Sequence, residues 1–280
     1  MRVQWHELPA AVRASVELAL GETVVSAVSQ TSGFSEGSAD RVRTASGRTA
    51  FVKAACGGRS AELHRREIAA LSALPVGVPA PRLIAHLDDG DWVTLVLPDV
   101  AGRHADGGDA DAVLSALAAL PSARGMLLPE AADGLGWSRP PEIPGLEHLA
   151  EPASLAPAAM AGDHLVHLDL RCDNVLIDPN EDVVIVDWPW ASRGAPWIDS
   201  LTFLLDLRRL RHGVDCEKVV ASHPVFASAT PDEITAVLAG LALTFFDAAR
   251  RDAGPPGLRE FQLSEGEAAL RWVRERSTQQ

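Results

Sequence analysis

Residues 167–188, "HLDLRCDNVLIDPNEDVVIVDW", crowd carboxylates and amides around two short apolar runs, and their reading decides the fold. The runs 175–177 and 183–186 flank the polar turn "DPNED" (178–182), which is the pattern of a β-hairpin. Antiparallel pairing sets the residue before the first strand beside the residue after the second, here Asn174 and Asp187. Opposed positions in such a ladder hold Cβ atoms about 4.5–5.5 Å apart. Two oxygen donors at that spacing suit Mg²⁺, which takes oxygen ligands at about 2.0–2.1 Å. Asp169, five residues before Asn174, lies on the loop feeding the hairpin and can face the same point. Such a set fits phosphoryl transfer: the ion screens phosphate charge, and the third carboxylate accepts the proton of an attacking hydroxyl. Asp178, Asn180, Glu181 and Asp182 read as turn formers only.

A second centre of interest is a lysine. Of 25 basic residues only Lys53 and Lys218 are lysines, and Lys53 sits in the apolar strand pattern "TAFVKAA" (49–55). Burying an ammonium alone costs several kcal/mol, on the order of a full desolvation penalty, so it needs a counter-charge. The following helix, about Arg59 to Leu74, offers one. On a 3.6-residue period Leu63, Glu67, Ala70, Leu71 and Leu74 form one stripe, which puts Glu67 on the buried face and predicts a Lys53–Glu67 salt bridge.

Outward from these points the order is strands first and helices second, an α+β arrangement. "TVVSAVSQ" (23–30), "ADRVRTA" (39–45) and "TAFVKAA" read as an antiparallel meander, and "RLIAHLDD" (82–89) with "WVTLVLP" (92–98) as a hairpin. With the inserted helix they make a five-stranded N-terminal lobe, residues 1–98. "PDVAG" (98–102) is a connector, and residues 99–280 form a mostly helical C-terminal lobe carrying the catalytic hairpin. Its helical patterns are 109–120, 196–213, 231–252 and 264–277, whereas 121–157, rich in Pro and Gly, stay unplaced.

The order "FVKAA", "REIAAL", "LVLPDVAG", "HLDLRCDN", "VVIVDW" resembles the aminoglycoside phosphotransferase family, kinase-like enzymes that phosphorylate antibiotics and other hydroxylated small molecules. The likeness spans about residues 20 to 275. It implies a bilobal protein-kinase-like fold, with ATP or GTP and Mg²⁺ as cofactors. Asp169 would be the catalytic base, and Arg171 would reach the transferred phosphate. Asn174 and Asp187 would hold the metal, while Lys53, oriented by Glu67, would meet the α- and β-phosphates. Ser32, Gly33 and Ser35 would cover the phosphates, and the main chain of Pro98 and Val100 would meet the adenine edge. Asp199, in "PWIDS", resembles the family's structural aspartate. The chain departs from the pattern in lacking Gly-x-Gly-x-x-Gly, and "DWP" stands where kinases carry Asp-Phe-Gly. Only eleven residues lie between Asp187 and Asp199, too few for a peptide-docking segment, so no protein substrate is expected.

Composition agrees with this. Apolar residues make up 47% and charged residues 22%, as in a globular protein, and no apolar run or leader pattern marks a membrane span or signal peptide. Three scattered cysteines suggest neither disulfides nor zinc, and a cytoplasmic setting fits. The formal charge of −13 argues against nucleic acid and would suit a cationic acceptor. Three rivals remain. A His167-x-Asp169…His223 facial triad would spell a non-haem iron oxygenase, and His164, His167 and Cys172 could hold zinc. The third is a catalytically silent nucleotide-binding protein of the same fold.

Overall fold

The computed structural model describes residues 3–30, 33–34, 36–137, 141–251 and 254–278. The chain divides into two compact units, Met1–Arg103 with Asp178–Pro189, and His104–Ile177 with Trp190–Gln280.

The first unit is built on a five-stranded sheet of β1 (Val24–Ser29), β2 (Ser38–Thr44), β3 (Thr49–Cys56), β4 (Ala85–Asp88) and β5 (Trp92–Pro98), in the order β1-β2-β3-β5-β4. Every neighbouring pair is antiparallel, with Lys53 of β3 opposite Ala39 on one side and Leu95 on the other. Alternation sends Ala50, Val52 and Ala54 of β3 into one core with Val42 and Val96. That core is closed by helix α1 (Ala10–Leu20), whose Val12, Val16 and Leu20 recur one turn apart. The lobe therefore has a helix that the sequence reading did not place. Gly21, left-handed at φ 73°, stops α1, and its N–H bonds back into the last turn.

Helix α2 (Gly58–Ala73) lies on the opposite face, where Ala61 and Ile68 pack with Ala55 and Val93. Its buried stripe is Ala61, His64, Glu67, Ala70 and Leu71. The stripe is rotated slightly from the expected one, so His64 and not Leu63 stands beside Glu67. The strand Val183–Ile185 joins this unit through the Ile185 N–H, which donates to Pro79 O at 2.6 Å.

The second unit holds α3 (Ala110–Ala118), the two-stranded ladder β6 (His164–Val166) with β7 (Ser192–Gly194), α4 (Ile198–Leu210), α5 (Pro231–Arg250) and α6 (Leu258–Ser277). A Thr230 capping box with Glu233 and Pro231 at the first helical position starts α5. Helix α6 begins six residues earlier than its acidic start at Ser264 suggested, right after Gly257. In the unplaced stretch "LEHLAEPASLAPAAMAG" (146–162) reads as helix interrupted at Pro152 and Pro157, and the described residues there form single helical turns at Ala150–Ala153 and Ala156–Ala159, with another at Ala131–Gly134. Among the described residues no helix is long and apolar enough to cross a membrane.

The strand β6 leads straight into His167-Leu168-Asp169, so its seating matters. A Cβ on Gly162 would meet the Gly194 carbonyl oxygen at 2.4 Å and the Ala195 nitrogen at 2.8 Å, all backbone. Gly162→Ala should therefore destabilise by about 1–3 kcal/mol through overpacking that no side chain can relieve. Urea unfolding of the two proteins measures it, and equal midpoints would refute the close approach.

Candidate active site

Each unit carries part of the expected site. In the first, Lys53 Nζ donates to both carboxylate oxygens of Glu67 at 2.8 Å and to Asp187 Oδ1 at 2.7 Å. The salt bridge expected from the helical stripe is formed, and Asp187 joins it. Burial alone would push the Lys53 ammonium down, but the charges of Asp187 and Glu67 outweigh it and hold it above its usual value. For Glu67, only 2% exposed, burial is the largest influence and raises the carboxyl, while Lys53 opposes it. Asp187 has a left-handed backbone, φ 68°, rare for a residue with a side chain. Trp188, fully buried, follows it and donates its indole N–H to Ile185 O at 2.8 Å.

His64, one turn before Glu67, was not foreseen. It is buried, and its Nδ1 lies 3.3 Å from Val93 O, an acceptor, so Nδ1 carries the hydrogen. Burial first, and the Lys53 charge second, lower its pKa to about 4. Pro98 ends β5 and is exposed, and the Val100 carbonyl accepts Arg41 Nη2 at 3.2 Å. Gly33 is left-handed at φ 86°; Ser32 and Ser35 lie outside the described residues.

In the second unit the loop 167–174 is organised by one buried carboxylate. Asp199, 2% exposed, accepts from the backbone N–H of His167 at 2.6 Å and of Leu168 at 2.9 Å. Leu168 is left-handed at φ 65°, a conformation costing about 1–2 kcal/mol that these two hydrogen bonds help to hold. Burial raises the Asp199 carboxyl, and His167 with the two amides opposes it. Asp169 follows directly. Its Oδ1 accepts from Arg171 Nη1 at 2.7 Å, and its main-chain carbonyl accepts from Asn174 Nδ2 at 2.7 Å. Asp169, Arg171 and Asn174 are thus brought together. The Asn174 amide nitrogen is spent on that carbonyl, and among the described residues none donates to its oxygen. The Asn174 amide oxygen here and the Asp187 carboxylate in the first unit are each hard donors of the kind Mg²⁺ takes, so the chemistry of each residue by itself fits that ion.

Between them, Asp178 Oδ1 accepts from the N–H groups of Asn180 and Asp182, confirming the turn-forming role. Neither metal rival assembles. Among the described residues no group of three or more His, Cys, Asp or Glu side chains could hold a metal ion. His223 Nδ1 accepts from Val225 N, and His164 Nε2 lies 3.0 Å from Leu117 O. Burial and the nearby Asp206 charge raise the Cys172 pKa, away from the thiolate that zinc needs.

Residues 31–260 match the phosphotransferase enzyme family. The chain belongs to that family. No curated protein sequence matches the phosphotransferase, but solved structures share its kinase-like fold. The choline kinase LicA from Streptococcus pneumoniae superposes with a TM-score of 0.61 at 13% identity, covering 95% of this chain and 98% of that one. An aminoglycoside phosphotransferase from Alicyclobacillus acidocaldarius gives 0.56 at 15% identity, covering 97% and 96%. A spectinomycin phosphotransferase in complex with ADP and spectinomycin gives 0.58 at 10% identity, covering 95% and 93%. At these identities the likeness is one of fold.

Two expectations follow from the geometry of the phosphotransferase. Lys53→Met strands the buried Glu67 and should cost about 3 kcal/mol, and adding Glu67→Leu should restore most of it, because the carboxylate then left without the lysine, Asp187, is partly open to solvent. Urea unfolding of the single and double variants measures the coupling, and additive losses would contradict it. For His64 the folded pKa lies below the unfolded value of about 6.5, so its contribution is present above pH 6.5 and fades as pH falls toward 4. Between pH 7 and pH 5 the parent should lose about 2 kcal/mol more than His64→Leu, read by denaturant titration at each pH.

Proposed function

We propose that the chain moves the γ-phosphate of ATP or GTP to a hydroxyl of a small molecule, an aminoglycoside or another hydroxylated natural product. The observation that carries this reading is Asp169. Its carboxylate is presented from a loop pinned by Asp199 and held by Arg171 and Asn174, where it can accept the proton of an attacking hydroxyl. Lys53, kept charged between Glu67 and Asp187, supplies the cation for the α- and β-phosphates. Asn174 and Asp187 would hold Mg²⁺, which when bound screens the phosphate charge. The carbonyl of Pro98 and the main chain of Val100 meet the purine edge, with Arg41 steadying the connector through Val100 O. Gly33, with Ser32 and Ser35, covers the phosphates. The AMP and ADP complexes among similar structures support nucleotide use.

The acceptor is small in this reading because the eleven residues between Asp187 and Asp199 leave no platform for a peptide. The net charge of −13 favours a cationic one. Arg171 is engaged by carboxylates through all of its nitrogens, which assigns it to holding the base more than to the phosphate.

A coupled assay of nucleotide turnover against a panel of hydroxylated antibiotics, sugars and choline tests the reading. Asp169→Asn should lower kcat by about 10²–10⁴-fold while nucleotide binding, followed by calorimetry, stays within about twofold. Retention of most turnover would remove Asp169 from the chemistry. A parent protein that binds nucleotide but transfers to nothing would leave the silent binding protein standing.

A further inference from the structure

Helix α6 sets an aromatic ring, Phe261, against the arginine beside Asp169. The Arg171 guanidinium, which grips Asp169 Oδ1 at 2.7 Å and Asp173 at 2.9 and 3.2 Å, lies over Phe261 with its centre 5.1 Å from the ring centroid. A second guanidinium, Arg209 of α4, lies over the same ring, also at 5.1 Å. Phe245 of α5 meets Phe261 edge to face, centroids 6.3 Å apart, and fixes the ring's orientation.

Behind the ring, acidic side chains meet the second guanidinium. Arg209 donates to Asp206 at 2.9 Å and to Glu265 at 2.7 Å, both nearly fully buried. Burial and the Asp206 charge raise the Glu265 carboxyl. The other oxygen of Asp206 accepts the Cys172 backbone N–H at 2.8 Å, one residue after Arg171. The contacts close a loop: Asp169 to Arg171, Arg171 to Phe261, Phe261 to Arg209, Arg209 to Asp206, and Asp206 back to the chain beside Arg171. Arg171 is held through both its side chain and its neighbouring peptide.

We propose that Phe261 is a positioning residue for phosphoryl transfer, its ring setting the Arg171 guanidinium that holds the Asp169 carboxylate on the reacting hydroxyl. The inference rests on Asp169 being the base. Guanidinium–ring contacts are directional and partly desolvated here, whereas an aliphatic side chain of like volume lacks that preference and lets the guanidinium, still bonded to Asp169 and Asp173, tilt over it. A displacement of that order at a catalytic carboxylate is felt in turnover and not in nucleotide affinity.

The test uses the full chain with Mg-ATP, reading ATP turnover, nucleotide Kd by calorimetry and thermal midpoint. Phe261→Leu should lower kcat by about 10- to 100-fold with nucleotide Kd and KM within about twofold, and Phe261→Tyr should keep at least about half of the parent kcat. In an Arg171→Met background Phe261→Leu should cost nothing further, since the ring acts only through that arginine. Unchanged kcat in Phe261→Leu, a Tyr variant no better than Leu, or an additive double change would each overturn the proposal. If Phe261→Leu does not fold, Phe261→Met takes its place under the same criteria. Asp169→Asn separates the two ideas. If it is inactive while Phe261→Leu is fully active, only the role of Phe261 falls; if it is active, the reading of the base falls and this inference with it.

Discussion

The Asp199 carboxylate holds two consecutive backbone amides, and the loop that carries Asp169 depends on that grip. Leu168 is left-handed, so the chain must bend there against its own side-chain sterics. A buried carboxylate receiving two N–H groups makes that bend the least costly one available. Everything after it inherits the direction of the bend: Asp169 turns outward, Arg171 reaches back to it, and Asn174 closes over its carbonyl. The close packing of Gly162 against Gly194 serves the same end from the other side, since the ladder of β6 and β7 fixes where the bend begins.

The first unit solves a different problem. It must keep a single ammonium charged inside an apolar sheet, and it does so with two carboxylates of unequal burial. Glu67 is deep and Asp187 partly open, so one anchors Lys53 and the other can turn toward solvent and ligand. His64 completes the neighbourhood as a neutral group, spending its hydrogen on Val93 O and adding no further positive charge beside the lysine.

The parts of the site that repeat at short spacing were legible in the chain. Asp169 and Asn174 stand five residues apart on one loop and hydrogen-bond each other, and Glu67 follows from a helical stripe that needs only counting. What escaped is carried by contacts between distant segments. Phe261 sits 90 residues from Arg171, in the opening turns of a helix whose start was misjudged because "SEGE" looked more like a helix cap than "GLRE". His64 is hidden in the pattern because Leu63 is the more apolar neighbour, while the buried position belongs to the imidazole that reaches Val93 O. Helix α1 did announce itself, with Val12, Val16 and Leu20 at four-residue spacing. Pro9 and the scattered charges masked it while the segment was weighed as a leader.

The tryptophan after Asp187 has a bearing on how freely that aspartate can move. Where kinases carry Asp-Phe-Gly, the glycine allows backbone angles that other residues resist. Here the indole of Trp188 is sealed in the core and tied to Ile185 O, and Pro189 freezes the next φ. Swinging Asp187 away would mean extracting a buried ring at roughly 3 kcal/mol or more. The backbone that follows Asp187 is thus locked by packing, and its carboxylate stays within reach of Lys53.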